Sequence, residues 1–172
     1  LDDMIPNTTG GVTWANDNKT VFYAKKDHTL RAFKIFRHEL GTDSSQDVEV
    51  YHETDDTFGT YIYKSKSKKY LILGSYSTLS TECRILEADN PTGNFRIVHS
   101  REDKLEYSIQ HYGDKFYIRT NLKAKNFRLM ETSVTATSKE NWKEVIPHRE
   151  EVLLEGVEVF EDYLVWKSGK VA

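Results

Sequence analysis

Several features that are typical of common classes of protein are absent from this sequence. Cys83 is its only cysteine, so an internal disulfide and a zinc site built from cysteines are both excluded. No apolar run approaches the roughly 18 residues of a membrane-spanning helix, and we expect no membrane partner. The opening stretch LDDMIPNTTGG lacks the basic and apolar regions of a signal peptide. This favours a cytoplasmic location and leaves a periplasmic one open, because the chain does not begin with methionine.

An excess of charge of either sign is also lacking. Lysine and arginine together number 24 and aspartate and glutamate 27, which gives a net charge of −3. A nucleic-acid-binding protein needs a concentrated basic patch, because much of its affinity comes from neutralising phosphates. Here the basic residues are spread along the chain, including the stretch HYGDKFYIRTNLKAKNFRLM (residues 111–130), which mixes them with aromatics. We therefore expect no nucleic-acid partner.

Proline and glycine are few, at three and nine residues, whereas ten tyrosines and eight phenylalanines accompany many β-branched residues. Segments that alternate between apolar and polar residues follow one another along the whole chain. They are separated by turn sequences such as Asn16-Asp17-Asn18 and Gly113-Asp114. This composition and this alternation predict antiparallel strands joined by short turns.

The strand pattern repeats along the chain. The second strand of each repeat begins near Val21, Tyr70, Phe116 and Tyr163, at intervals of 49, 46 and 47 residues. A four-stranded repeat of roughly this length is the signature of a β-propeller. We predict an all-β fold, a β-propeller fragment of about three and a half four-stranded antiparallel blades. The predicted domain organisation is a partial propeller over residues 1–172, with blades near 11–53, 58–102 and 105–150 and a half-blade at 155–167.

The strings GGVTWANDNKTVFY, DHTLRAFKIFRHELGT, SKSKKYLILGS, LEADNP, GDKFYIRTN, AKNFRLME and ENWKEVIPHREEVLLEG occur in this order along almost the whole chain. Together they resemble the N-terminal β-propeller of the oligopeptidase B (protease II) group, in the prolyl oligopeptidase family of serine peptidases. The resemblance implies a seven-bladed propeller above an α/β-hydrolase domain of the same polypeptide. We expect the hydrolase domain and roughly half of the blades to be absent from this sequence. The resemblance also implies that the propeller restricts the access of peptide substrates and that the hydrolase domain cleaves after arginine or lysine.

The chain itself carries no recognisable catalytic residues. A hydrolase nucleophile of this class needs the motif G-x-S-x-G on a strand-to-helix turn. The nearest string, LGSYSTLS (residues 73–80), lacks the second glycine at the required spacing. The resemblance implies that the parent protein is a serine endopeptidase, and the missing motif leads us to expect that this chain alone is inactive.

Histidines and carboxylates do not form a recognisable site either. The six histidines are scattered without metal-site spacing, and His52, His99 and His148 are interpreted as surface or turn residues at the ends of fourth strands. Adjacent carboxylates such as Glu161-Asp162 fall at blade connections or hairpin turns, where solvation explains them. We expect no metal and no cofactor.

Four charged residues are candidates for facing the channel of the propeller: Arg101, Glu102, Arg119 and Arg149. Each has an alternative role in an ion pair at a blade edge, because long charged side chains commonly pair at surfaces. The basic string SKSKK (residues 65–69) is interpreted as a solvated turn. The three tryptophans, Trp14, Trp142 and Trp166, are expected to pack between blades.

Two other functions are compatible with these residues. The chain could be a free-standing propeller-like module that binds a protein or a peptide. It could also be a propeller hydrolase that uses acid pairs on a glycan. The uncovered strand edge of the half-blade further predicts self-association, since unpaired edges attract other strands.

Overall fold

A computed structural model describes residues 4–171, and its long elements are all β-strands. In chain order the strands are β1 (Thr8–Trp14), β2 (Thr20–Lys26), β3 (Ala32–Glu39), β4 (Val48–His52), β5 (Gly59–Lys64), β6 (Tyr70–Tyr76), β7 (Thr81–Glu87), β8 (Arg96–His99), β9 (Tyr107–Tyr112), β10 (Lys115–Thr120), β11 (Arg128–Ser133), β12 (Lys143–Ile146), β13 (Val152–Val159) and β14 (Leu164–Lys170). Two short 3-10 helices cover Ser44–Gln46 and Lys139–Asn141. Residues 4–171 contain no α-helix.

The strands form three four-stranded sheets and one two-stranded sheet. The sheets are β1-β2-β3-β4, β5-β6-β7-β8, β9-β10-β11-β12 and β13-β14, so within each sheet the strands follow one another in chain order. Neighbouring strands pair antiparallel, as β10 does with β9 and with β11. Sequential antiparallel order is the blade topology of a propeller. The predicted all-β propeller fragment is therefore confirmed.

Turn chemistry explains why the strands end where they do. The carboxylate of Asp17 accepts hydrogen bonds from the backbone N–H groups of Lys19 and Thr20 and from the Thr20 hydroxyl, at 2.7–3.0 Å. Asn18, at the centre of this turn, has a φ of 57°, a left-handed conformation that asparagine tolerates well. The β1–β2 hairpin is thus specified by three consecutive polar residues.

Burial is highest in the second strand of each of the first two four-stranded sheets. All residues from Thr20 to Ala24 in β2 and from Leu71 to Ser75 in β6 are buried, whereas the fourth strands are largely exposed. Strands that are covered on both faces carry continuous apolar runs, and strands with one wet face alternate. The run VFYA in β2 and the run LIL in β6 follow this rule.

The chain divides into two compact units. The first unit runs to residue 64 and also contains residues 68–77 and 84–97, while the second contains residues 65–67, 78–83 and those from 98 on. The core of the first unit includes Phe22, Ile35 and Leu73. In the second unit, Leu129 of β11 packs with Leu154 of β13 and with the other buried residues of the half-blade. Each unit therefore has its own apolar core.

The three tryptophans have different environments. Trp142 is only 7% exposed, whereas Trp14 and Trp166 are 39% and 50% exposed. The Trp142 indole Nε1 donates to the Thr137 carbonyl at 2.8 Å, which satisfies its one polar group. Trp142 is thus buried, as packing between blades requires, whereas Trp14 and Trp166 are exposed in the part of the chain that the structure describes.

Candidate functional site

Arg101 lies just after β8 and interacts with a buried carboxylate. Its backbone N–H donates to Glu82 Oε2 at 3.0 Å, and its guanidinium donates to Glu82 Oε1 at 3.4 Å. Glu82, on β7, is only 4% exposed. A buried carboxylate is costly unless it is paired, so Arg101 compensates the charge of Glu82.

Glu102 is exposed and links two segments that are far apart in sequence. Its two carboxylate oxygens accept from Lys139 Nζ at 2.7 and 2.5 Å, and His99 Nε2 lies 2.7 Å from Oε1. The hydrogen bond with Lys139, followed by the one with His99, lowers the pKa of Glu102 below its usual value. Glu102 therefore links His99, at the end of β8, to Lys139, in the 3-10 helix that precedes β12.

The contacts of His99 determine which of its nitrogens carries the proton. The backbone N–H of Lys139 donates to His99 Nδ1 at 3.3 Å, so Nδ1 is an acceptor and Nε2 donates to Glu102. The ring also lies edge-on to Tyr107 and Trp142, with centroids 6.3 and 5.6 Å away. His99 is thus a half-buried packing residue rather than the surface residue that the sequence predicts, whereas His52 is exposed as expected.

Arg119, on β10, contacts the first strand of the half-blade. Its Nε donates to the Leu154 carbonyl at 2.6 Å, and its guanidinium lies 3.6 Å from the centroid of the Phe127 ring. Phe127 has a φ of 62°, which is uncommon for a bulky residue. Burial lowers the pKa of Arg119 from its usual value. These contacts join β10 to β13 through a side chain.

Arg149 has an exposed side chain, and its described contacts are made by its backbone. Its carbonyl and that of Glu150 accept from the Asn126 amide nitrogen, at 3.1 and 2.6 Å. Arg149 also pairs with Val152 in an isolated β-bridge. Asn126 is buried, and its side chain therefore orders the connection between β12 and β13.

Each of the four candidate residues thus has partners of its own, and these contacts support the sheets. The suggestion that their side chains face a channel stays a prediction. Glu161-Asp162 is a two-residue turn closed by a hydrogen bond from the Phe160 N–H to the Tyr163 carbonyl, at 2.8 Å, in agreement with the solvated turn expected there.

A buried polar group that sequence reasoning missed lies in the first sheet. His38 Nδ1 is 2.6 Å from Asp47 Oδ1, and the Tyr23 hydroxyl donates to Asp47 Oδ2 at 2.7 Å. The side chains of His38 and Asp47 are 1% and 2% exposed. Burial and the neighbouring Asp47 carboxylate together raise the pKa of Tyr23 above its usual value. The spacing of these three residues in sequence contains no motif that would have grouped them.

The string SKSKK forms a turn whose three lysines are exposed, as predicted, but its serines make contacts that the sequence does not predict. Ser65 is 2% exposed, and its hydroxyl lies 2.8 Å from that of Ser67. The Ser67 hydroxyl in turn lies 2.7 Å from Nδ1 of His111, a buried residue at the end of β9. Lys66 forms an ion pair with Glu158 of β13. Residues 65–67 thus belong to the second unit, in which Ser67 and Lys66 have their partners.

The described residues contain no arrangement typical of a hydrolase nucleophile. Ser75, in the string LGSYSTLS, is fully buried in β6, and its hydroxyl is 2.7 Å from that of Tyr51. A nucleophile elbow needs a helix after the strand, and residues 4–171 contain no α-helix. In the same range no group of three or more histidine, cysteine or acidic residues is placed to hold a metal ion. None of the described helices is long and apolar enough to cross a membrane.

Comparison with known proteins agrees with the propeller topology. Residues 1–170 match the family model described as the prolyl oligopeptidase, N-terminal beta-propeller domain. The chain is 38% identical to the dipeptidyl aminopeptidase BI of Pseudoxanthomonas mexicana over 167 residues, which are 96% of this chain and 23% of that protein. It is 32% identical to the protease 2 of Moraxella lacunata over 168 residues, or 96% of this chain and 24% of that protein.

A solved structure has the same arrangement of strands. Oligopeptidase B from Leishmania major superposes with a TM-score of 0.92 at 32% identity, over 99% of this chain and 24% of that chain. The chain thus spans about a quarter of the length of the relatives it matches. With a family model that covers nearly every residue, the chain belongs to the prolyl oligopeptidase family, as part of its N-terminal β-propeller domain.

Proposed function

We propose that this chain is the non-catalytic propeller part of a serine peptidase similar to oligopeptidase B, and that it controls the access of short peptides to a hydrolase domain on the same polypeptide. The observation that carries the proposal is the family match over residues 1–170, in a chain that covers only about a quarter of its relatives. The rest of such a polypeptide has room for the catalytic domain. The proposed cleavage follows arginine or lysine.

Propeller geometry supports a role in size selection. Blades arranged around an axis leave a central passage, and each blade here is a hydrogen-bonded antiparallel sheet. An extended peptide is about as wide as one strand, whereas a folded domain of 100 residues has a radius of gyration of roughly 13 Å. A rigid ring therefore admits unstructured peptides and excludes folded proteins.

The chemical step belongs to the rest of the proposed polypeptide. Peptide cleavage by a serine peptidase needs a serine that attacks the carbonyl, a histidine that accepts its proton and an acid that orients the histidine. The described part of this chain offers a buried Ser75 and a Ser67–His111 contact on a hairpin, without the strand-to-helix turn that presents such a serine. The contribution of the chain is selection and positioning.

The test compares the full-length polypeptide with this chain alone. The full-length enzyme should hydrolyse a short arginine-containing peptide, and should cleave the same sequence far more slowly when it lies within a folded protein. The chain alone should be inactive on both substrates. Hydrolysis by the chain alone that a serine-directed inhibitor abolishes, in a preparation free of other peptidases, would contradict the proposal, as would equal cleavage of the folded substrate.

A second activity is favoured by the relative that is named a dipeptidyl aminopeptidase, since it is 38% identical to this chain. That name describes an enzyme that removes dipeptides from amino ends, in contrast to internal cleavage. The full-length enzyme should therefore also be tested on one peptide with a free and with an acetylated amino end. Products identified by mass spectrometry distinguish the two activities, because acetylation prevents the release of a dipeptide and leaves internal cleavage after arginine or lysine intact.

A further inference from the structure

The tip of the β5–β6 hairpin places a positive charge on the half-blade. The Lys66 ammonium forms an ion pair with the Glu158 carboxylate. It also lies 4.1 Å from the centroid of the Phe160 ring. A carboxylate next to an aromatic face is a cation site, because charge attraction and the negative face of the ring both favour the same ligand.

Strand alternation holds the two sides of this site in place. Val157 and Val159 are buried at 9% and 4% exposure, so Glu158 between them must point to the opposite face of β13. Phe160 follows directly, at the start of the tight turn that its N–H closes with the Tyr163 carbonyl. The spacing of Glu158 and Phe160 is therefore set by buried neighbours and by a turn, and does not depend on Lys66.

The surroundings of the site are negatively charged. Glu161 and Asp162 form the turn that follows Phe160. Together with burial, their charges raise the pKa of the nearby Tyr112 hydroxyl. A concentration of carboxylates beside an aromatic ring favours a cation over a neutral or acidic ligand.

Another cation can displace the Lys66 ammonium from this site. The side chains of Lys66 and Glu158 are 45% and 50% exposed, and Phe160 is 46% exposed. Ion pairs this exposed are weak, because water competes for both partners. An incoming cation therefore meets an aromatic ring and a carboxylate that are open to solvent and held by a single lysine.

We propose that Glu158 and Phe160 form a binding site for a basic side chain of a peptide, and that Lys66 is an internal ligand that such a side chain displaces. The inference rests on the proposed function in one respect, since it takes the ligand to be a peptide that reaches this propeller. Arginine suits the site especially well, because its planar guanidinium stacks on an aromatic ring while it donates to a carboxylate.

The test titrates the 172-residue chain with acetyl-Gly-Arg-Gly-amide and, in parallel, with acetyl-Gly-Gln-Gly-amide, and follows the NMR signals of Glu158 and Phe160. The arginine probe should shift these signals in a saturable way and the glutamine probe should not. Lys66→Gln should tighten binding of the arginine probe by about threefold or more, because an internal competitor lowers the apparent affinity by the fraction of time that it fills the site.

Lys68→Gln is the matched control, since it removes the same charge from the same hairpin. It should leave the affinity for the arginine probe unchanged. Glu158→Gln should abolish saturable binding, and Phe160→Leu, which keeps an apolar side chain, should weaken it severalfold. A circular dichroism spectrum equal to that of the wild type shows that each variant is folded.

Equal affinities in Lys66→Gln and Lys68→Gln would overturn the proposal, and so would equal shifts with the two probes. If Glu158→Gln fails to fold, Phe160→Leu and the Lys66 and Lys68 pair still decide the question. These titrations involve no hydrolysis. A full-length enzyme without peptidase activity would refute the proposed function, whereas loss of arginine-specific binding in the chain would refute only this site.

Discussion

The guanidinium of Arg119 lies 3.6 Å from the centroid of the Phe127 ring while its Nε donates to the Leu154 carbonyl at 2.6 Å. One side chain thus joins β10, the loop before β11 and β13. A hydrogen bond from a charged donor contributes about 1.5–3 kcal/mol, and burial of the guanidinium offsets part of this. We expect the contact to matter for the folding of the second unit.

Replacement of Arg119 by alanine should therefore lower the free energy of unfolding by about 1–3 kcal/mol, because it leaves the Leu154 carbonyl without its donor. Urea unfolding followed by fluorescence measures the change. Arg149→Ala is the control, since the Arg149 side chain is exposed and its described contacts are made by its backbone; it should change stability by no more than about 0.5 kcal/mol. Equal losses in the two variants would show that the stacked contact is unimportant.

Glu102 predicts an acid-dependent contribution to stability. Its pKa is lowered in the folded protein by Lys139 and His99, so it binds protons more weakly folded than unfolded. The stability it contributes is fully present above the pKa of an unfolded glutamate and is lost as the pH falls through the lower folded value. Unfolding measured from pH 6 to pH 3 should show the wild type and Glu102→Gln converging at the acidic end.

The neighbouring residue Asp103 provides the control for this pH profile. Asp103→Asn should keep the acid-dependent loss that is attributed to Glu102, because Glu102 and both of its partners remain intact. A Glu102→Gln profile that runs parallel to that of the wild type over the whole pH range would show that these contacts do not stabilise the folded state.

In the buried group of Tyr23, His38 and Asp47, we expect loss of the Tyr23 hydroxyl alone to lower the stability of the protein strongly. Tyr23→Phe removes the hydroxyl that donates to Asp47 and should cost about 1.5–3 kcal/mol of unfolding free energy, since the carboxylate is buried. Tyr163→Phe removes a hydroxyl from a residue that is 72% exposed and should change stability by no more than about 0.5 kcal/mol. Thermal or urea unfolding distinguishes the two.

Alkaline pH tests the same group in another way. Burial and Asp47 raise the pKa of Tyr23 in the folded state, so its stabilising contribution is present below the pKa of an unfolded tyrosine and is lost as the pH rises through the folded value. The wild type should therefore lose stability relative to Tyr23→Phe above about pH 10. A constant difference between the two across this range would contradict the prediction.

Any side chain at Gly74 of β6 would clash with a residue of the neighbouring strand. Gly74 lies opposite Tyr61 of β5, and a Cβ at Gly74 would overlap the phenol ring of Tyr61. Gly74→Ala should cost about 1–3 kcal/mol, because an overpacked site forces side chains off their preferred rotamers. Gly156→Ala is the control, since a Cβ there meets no atom within 4 Å. The double variant Gly74→Ala/Tyr61→Ala should be less destabilised than the sum of its single variants.

The half-blade predicts self-association of the isolated chain. Val165 and Trp166 are 51% and 50% exposed, and consecutive residues of a strand point to opposite faces, so both faces of β14 are uncovered. Exposed apolar faces and an open strand edge attract a partner. Sedimentation should show oligomers that form with rising concentration, and Trp166→Lys should shift this to higher concentration. Leu79→Lys, at a residue 51% exposed outside the strands, should not. A monodisperse monomer at high concentration would contradict the prediction.

The blades were predictable because the information for them is local. Alternation along a strand determines which side chains face the core, and turn residues such as Asp17 and Asn18 form hydrogen bonds within three residues of themselves. Since each sheet joins strands in chain order, four alternating segments and three turns are enough to specify a blade. Repetition of that pattern then identifies the propeller without knowledge of any contact between blades.

The candidate residues were only partly predictable, for the opposite reason. Arg101 and Arg119 are recognisable as candidates by their charge, but their partners are a buried Glu82 on another strand and the backbone carbonyl of Leu154. Every residue has a backbone carbonyl, so the sequence does not indicate which of them accepts a hydrogen bond from a side chain. Trp14 and Trp166 look like core residues by type, yet they are exposed because each lies on a strand whose outer surface is uncovered in this chain.

The sequence by itself therefore determined the fold class and the order of the strands, because these depend on periodicity and on short-range turns, while the resemblance of its strings to known sequences identified the family. The tertiary structure alone decided the roles of individual polar side chains. The string SKSKK shows the difference. Its charge pattern predicts the exposed turn that is observed, but only folding brings Ser67 to His111 and Lys66 to Glu158 and Phe160, residues that lie far away in sequence. Long-range pairing of this kind depends on which surfaces meet when blades pack, and alternation within a strand does not encode it.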